Sequence, residues 1–363
     1  MAQKKYGILI IGAGWVSTQH ISAYVNNPHA RVRAICDVNL ENAPQRAKEA
    51  ELTDVGFYDN VADALKHHGI DAVSICTPQH IHCENVLAAA AAGEHMLIEK
   101  PAANSLNELR QMRDAVTAAG VKTVVGFVLR WNPLFQNIKK LIAAGTLGEV
   151  YYAETDYQSY NSAWWGAWEQ GRRKELAHSA MAVAGCHAVD ALRWFAAGGE
   201  TEAADPTEVF AYAGGKRKGK THQYNPVTND WSEQSPMEYD GMEVILVRFS
   251  NGVLGKVSVN FEGIQPYTFP LSIFGDRGTI KNNQLFAPKS PEQKEWREIP
   301  GICPDSSDVS HHPFQGEIDH FIECLQNDVE SHCNLTDAVK THEIFFAAQK
   351  CYETEKPVQL PLL

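Results

Sequence analysis

Residues 6–37 read YGILIIGAGWVSTQHISAYVNNPHARVRAICD. Tyr6 to Ile11 form an unbroken run of strand length, Gly12-Ala13-Gly14 form a turn, and residues 16–25 carry helical spacing. Val32 to Cys36 read as a second strand that ends at Asp37. A strand, a glycine turn, a helix and another strand make a βαβ unit, because parallel neighbours need a crossover connection. The alternation continues outward, with helices expected at residues 43–50, 61–67, 83–92 and 106–119 and strands at 72–76, 95–98 and 123–128. Such a succession predicts an α/β chain opening with a Rossmann domain, a doubly wound parallel sheet, over residues 1–127.

After residue 128 the pattern changes. Helices are expected at residues 134–143 and 181–196, with strand-like runs at 150–157, 208–213, 243–249, 254–262 and 271–274. Helical spacing returns at residues 313–326 and 335–353. Residues 128–363 therefore read as an α+β domain with a large, mostly antiparallel open sheet. With 363 residues, two domains are the expectation.

Gly12, Gly14, Trp15 and Val16 stand where a strand passes into a helix. Such a turn brings backbone N–H groups and the positive helix end to a pyrophosphate. Ser17 replaces the third glycine of the usual pattern and is small enough for close packing. Twenty positions on, Asp37 can accept hydrogen bonds from ribose hydroxyls and repel a 2′-phosphate, which predicts NAD in preference to NADP. Thr77, Pro78 and His82 follow one strand, and Glu99 and Lys100 follow another. Both segments fall on the carboxyl edge of the sheet, where ligands bind in such folds.

On these residues, together with Pro101 and the run Gly185-Cys186-His187-Ala188-Val189-Asp190, the chain resembles the Gfo/Idh/MocA oxidoreductases over nearly its whole length. The resemblance implies hydride transfer between NAD and a hydroxyl-bearing carbon of a sugar or polyol. It places Lys100 beside the nicotinamide as general acid or base and implies that the bond before Pro101 is cis. It makes His187 a proton-relay partner, with Asp190 one helical turn later. Thr77, Pro78, His82 and Glu99 are implied to line the cofactor. Val183 stands where relatives commonly carry an aspartate. The resemblance also spans redox-neutral glycoside cleavage and non-catalytic ligand sensing, which remain alternatives.

Arg130, Asn132, Tyr157, Tyr160, Trp164, Trp165 and Arg172 belong to stretches rich in aromatic and polar groups, and are expected to bind substrate. No His, Cys and carboxylate spacing predicts a metal site. Lys plus Arg number 32 against 44 Asp plus Glu, a formal charge of −12, so neither nucleic acid nor an anionic membrane is an expected partner. The 8 cysteines are scattered without a C-x-x-C pair and read as reduced thiols. No targeting or membrane-spanning run is read, so a cytoplasmic homodimer or homotetramer acting on a small carbohydrate is expected.

Overall fold

The computed structural model describes residues 4–160, 169–225, 229–233, 235–288, 294–304 and 312–363. Trp164 and Trp165 lie outside these described residues. The chain divides into two compact units, Met1–Trp131 with His312–Val339, and Asn132–His311 with Lys340–Leu363.

In the first unit, strands β1 (Tyr6–Ile11), β2 (Ala30–Cys36), β3 (Gly56–Tyr58), β4 (Ala72–Ile75), β5 (His95–Ile98) and β6 (Thr123–Val125) form one sheet. Its order is β3-β2-β1-β4-β5-β6, with every neighbour parallel. Ile8, Leu9, Ile10, Val73, Ile75, Leu97, Ile98, Val124 and Val125 are fully buried, as strands sandwiched between helices require. The helices are α1 (Trp15–Asn26), α2 (Asn42–Glu49), α3 (Val61–Ala64), α4 (His82–Ala92) and α5 (Leu106–Ala119). Chain order reverses between β1 and β4, and the carboxyl ends of these two strands frame the crevice where such sheets take ligands.

Beside the boundary expected after residue 127, the compact units place the first division at Trp131 and return His312–Val339 to the first unit. A helix at Phe314–Asn327 packs on α1, Asn27 Nδ2 donates to Asp319 Oδ1 at 2.7 Å, and Val125 N donates to Cys333 O at 2.8 Å.

The second unit holds α6 (Pro133–Ala143), β7 (Val150–Gln158), a π-helical turn at Met181–Gly185 and α7 (Cys186–Ala196). Then come β8 (Pro206–Gly214), β9 (His222–Asn225), β10 (Asp230–Glu233), β11 (Met242–Phe249), β12 (Leu254–Asn260) and β13 (Leu271–Gly275). The remaining elements are β14 (Thr279–Lys281), β15 (Gln284–Phe286), β16 (Arg297–Glu298), the first unit's α8 (Phe314–Asn327), then α9 (Leu335–Thr354), within which the division falls, and β17 (Val358–Gln359). Nine strands form one sheet in the order β16-β15-β14-β13-β7-β12-β11-β8-β17, antiparallel except for the β7–β12 pair. Ala153, Thr155, Val257, Val259, Ile245 and Val247 are buried on one face, where Thr155 Oγ1 donates to Ala188 O of α7 at 2.8 Å. The opposite face carries Tyr212, Leu246 and Leu254, all largely exposed, around an Asp156–Lys256 ion pair at 2.6 Å. Among the described residues no helix is long and apolar enough to cross a membrane.

Candidate functional site

Gly12 takes φ +93°, and a Cβ there would lie 2.8 Å from the carbonyl carbon of Cys76. Only glycine lets the turn leave β1 pressed against the end of β4. Gly14 is the N-cap of α1 and supplies no side-chain cap, so the first amides of the helix face outward for an anion. A Cβ on Gly14 would meet nothing within 4 Å, which leaves clear space in front of the helix end. Ser17, fully buried, donates through Oγ to Gly14 O at 2.6 Å and holds the turn where a third glycine is more usual.

Asp37 at the end of β2 accepts from Ala13 N at 2.7 Å through Oδ2, and from Asn39 N and Asn42 Nδ2 through Oδ1. These donors hold the carboxylate at the glycine turn. Around it Trp15 and the neighbouring Val38 and Leu40 are exposed apolar side chains, surfaces suited to flat rings. An open helix end, a carboxylate held beside it and exposed apolar groups fit a dinucleotide. Val16 is half-buried in the first turn of α1.

Beyond β4, His82 is buried, with its ring nitrogens 2.7 Å from Thr77 O and 3.0 Å from Pro101 O. Burial lowers its pKa, and a neutral ring donates to one of these two carbonyls. Asn85 Nδ2 donates to Thr77 Oγ1 at 3.1 Å, and Pro78 is exposed at the sheet edge. The Lys100-Pro101 peptide is cis. Glu99 is buried: Oε1 lies 3.0 Å from His20 Nε2, and Oε2 accepts Lys100 N at 3.1 Å. His20, Ser74, Tyr24 and Glu317, which surround this carboxylate, escaped the sequence reading. A signal was present: His20 lies beside Ile21 and four residues from Tyr24, on the helix face turned to the sheet.

In the second unit, His187 is buried in the first turn of α7, directly after the π-helical turn that contains Val183. A Cβ on Gly185 would come within 3.0 Å of Val259 Cβ, so glycine allows this turn to lie on β12. Asp190 is buried and accepts from Thr341 Oγ1 at 3.1 Å, which ties α7 to α9. Upstream, His178 adopts φ +68°, with Ser179 N donating to Ala177 O at 2.9 Å. This is a strained three-residue turn. Burial pushes its imidazole down to about 4, so the ring is neutral where it packs on Phe346.

Several expected substrate groups have structural employment. Tyr157 is buried among Phe261, Tyr267 and Phe269. The Arg217 guanidinium lies 4.3 Å over the Tyr160 ring, and Arg172, also buried, donates through Nη1 to Ser235 O at 3.1 Å. Arg130 and Asn132 also hold structural bonds. Arg130, almost fully buried, donates to His332 O and to Asp337 Oδ2 at 2.6 and 2.7 Å, and Asn132 caps α6 by accepting Leu134 N at 2.9 Å. Among the described residues no group of His, Cys, Asp and Glu side chains is placed to hold a metal ion.

Residues 6–127 match the family model described as the oxidoreductase family, NAD-binding Rossmann fold, and residues 135–281 match the GFO/IDH/MocA C-terminal domain. The scyllo-inositol 2-dehydrogenase (NAD(+)) of Bacillus subtilis is 25% identical over 358 residues, 97% of this chain and 95% of that protein. The levoglucosan dehydrogenase of Pseudarthrobacter phenanthrenivorans is 28% identical over 286 residues, 76% of this chain and 72% of that protein. Among solved structures, a levoglucosan dehydrogenase in complex with NADH and levoglucosan superposes with a TM-score of 0.81 at 22% identity, covering 99% of this chain and 100% of that one. An oxidoreductase domain protein from Kribbella flavida gives 0.83 at 22% identity, covering 99% and 100%.

Proposed function

This chain belongs to the GFO/IDH/MocA oxidoreductase family, and on that premise we propose that it moves a hydride between NAD and a hydroxyl-bearing carbon of a sugar or polyol. The observation that carries the reading lies within one unit: the open helix end at Gly14 and the Glu99-Lys100-Pro101 segment follow β1 and β5, at the carboxyl edge of one parallel sheet. The amides at Gly12 and Gly14 and the amino end of α1 would hold the pyrophosphate, and Asp37 the adenosine ribose. Bound NAD supplies the hydride acceptor or donor.

Lys100 exchanges the proton of the reacting hydroxyl as general acid or base. His187 takes the proton-relay role, and Asp190, fastened to Thr341, steadies the helix turn that carries it. The working form is a cytoplasmic homodimer or homotetramer joined through the open sheet face.

The test is NADH formation, and NADH consumption with keto sugars, across a panel of free sugars, polyols and aryl glycosides. Turnover with a free sugar or polyol is expected, and its absence in both directions at every pH tried overturns the reading. Lys100→Met should keep NAD binding and lose about 10²–10⁴-fold in turnover, the usual contribution of a placed proton-transfer group. A second reading, transient oxidation followed by elimination and re-reduction of a glycoside, is favoured by Val183 in place of a relay carboxylate. Aglycone release that needs NAD but yields no net NADH would select it.

A further inference from the structure

Lys216, Arg217, Lys218 and Lys220 put four cations within five residues of a chain whose formal charge is −12. The loop that carries them is held in place. Glu262, just past β12, accepts Lys216 N at 2.7 Å and Arg217 N at 3.1 Å, one on each carboxylate oxygen. Gly215 makes the room: at φ +144°, a Cβ there would stand 2.2 Å from Glu262 Oε1. On the other side of the loop, Gly219 N donates to Met237 O at 2.9 Å and Lys218 pairs with Asp240 at 2.8 Å.

The anchored loop brings the Arg217 guanidinium to 4.3 Å over the ring of Tyr160, just past the end of β7. β7 and β12 run parallel, with Tyr157 paired to Val259, so Tyr160 and Glu262 leave the sheet at the same end. Val259 is also the residue on which Gly185 lies, in the turn that leads into His187. Arg217 is half-buried, and its guanidinium has no hydrogen-bonded carboxylate among the described residues: both oxygens of Glu262 are taken by main-chain amides, and Asp240 pairs with Lys218. A guanidinium stacked on a ring keeps its edge N–H groups open, and that planar fork matches the two oxygens of a carboxylate or phosphate. A sugar hydroxyl offers it a single neutral acceptor.

We propose that Arg217 is a specificity-determining residue of the substrate site, and that the sugar or polyol this chain acts on carries an oxyanion, a carboxylate or a phosphate, that docks on the guanidinium beside Tyr160. Lys216 and Lys220, exposed on the same loop, reverse the field of an acidic protein locally and draw the anion in. The assignment rests on the dehydrogenase reading, in which Tyr160 is expected to face the substrate, but binding tests it without turnover.

Calorimetry at saturating NAD reads the charge preference directly, with the hexose, hexuronate, hexuronamide and hexose 6-phosphate of the gluco, galacto and manno series as probes. Within a series, the uronate or the phosphate should bind about 10- to 100-fold more tightly than the neutral hexose and amide, the size of a hydrogen bond to a charged group. Which of the two acids binds better separates a carboxylate from a phosphate. Arg217→Gln should abolish the preference and leave the affinity for the neutral probes unchanged. A preference that survives in a folded Arg217→Gln protein overturns the proposal, as do equal affinities for acid and neutral probes or no binding of any acid. Should that variant not fold, uronate against uronamide on the unaltered protein decides: a loss of about tenfold or more on amidation supports the proposal, and equal binding overturns it. Acids that bind through Arg217 yet exchange no hydride with NAD in either direction would sink the dehydrogenase reading instead and leave the anion site standing.

Discussion

Glu317 is fully buried on α8, among groups that include Tyr24 and His20, with its acid held neutral by burial and by the Glu99 charge. An unfolded glutamate ionises near pH ~4.3, whereas this one keeps its proton well beyond that point in the fold. Between the two values the unfolded chain binds fewer protons than the native one, so stability falls as pH rises, by about 1.4 kcal/mol per unit while the window lasts. Glu317→Gln should therefore raise the melting temperature, with a gain that grows from pH 5 to pH 8. A gain independent of pH would show that Glu317 is ionised in the fold. Of the individual residues, the places of Gly12, Gly14 and Asp37 in the turn after β1 and at the end of β2 were legible in the sequence, because they follow from the local pattern. Arg130 was not, because its partners His332 and Asp337 lie some two hundred positions downstream. The cap that Asn132 makes was legible, since an asparagine directly before a proline and an apolar helix is an N-cap pattern.

Among the elements, α1 separates the two jobs of its glycines. Gly12→Ala forces an L-residue to φ +93° and drives a methyl into the backbone at Cys76, so a loss of ~2 kcal/mol or more is expected in denaturant unfolding. Gly14 has φ −73° and open space around it, so Gly14→Ala should leave stability within about 1 kcal/mol. That same methyl enters the space proposed for the pyrophosphate, and calorimetry should show NAD binding weakened about tenfold or more, a loss of ~1.4 kcal/mol. Unchanged affinity would move the phosphate site away from this helix end. Elements with a clear pattern, the unbroken run of β1 and the helical spacing of α5, were legible almost to the residue. Short ones were not: β3, β14 and β15 have three residues each, too few to show alternation. Residues 181–196 read as one helix, yet the first five form a π turn, because Gly185 lets the backbone lie on Val259. That contact is tertiary and leaves no mark on the local pattern.

At the scale of the molecule, the nine-stranded sheet leaves one face bare. In-register pairing puts Leu246 beside Phe210 and Lys256, and Leu254 beside Tyr152 and Arg248, so apolar and charged groups share one surface. Leu246→Glu, at a position 52% exposed, should leave the fold intact and lower the assembly mass in sedimentation, and an unchanged mass would rule this face out as the oligomer contact. The sequence disclosed both sheets but not the return of residues 312–339 to the first unit, since the pattern of α8 says that it is amphipathic and not what it covers. That return sets a timetable. The six strands of the first sheet are all synthesised by Val125, while the helix that covers the flank of α1 leaves the ribosome almost two hundred residues later. At ~5–20 residues per second, the nascent sheet waits about 10–40 s with His20 and Tyr24 lacking their cover, during which every strand of the second sheet but β17 is made. The unit that begins first is thus completed only after most of the second has been made, and a chain cut short anywhere before Val339 is born without a complete first unit.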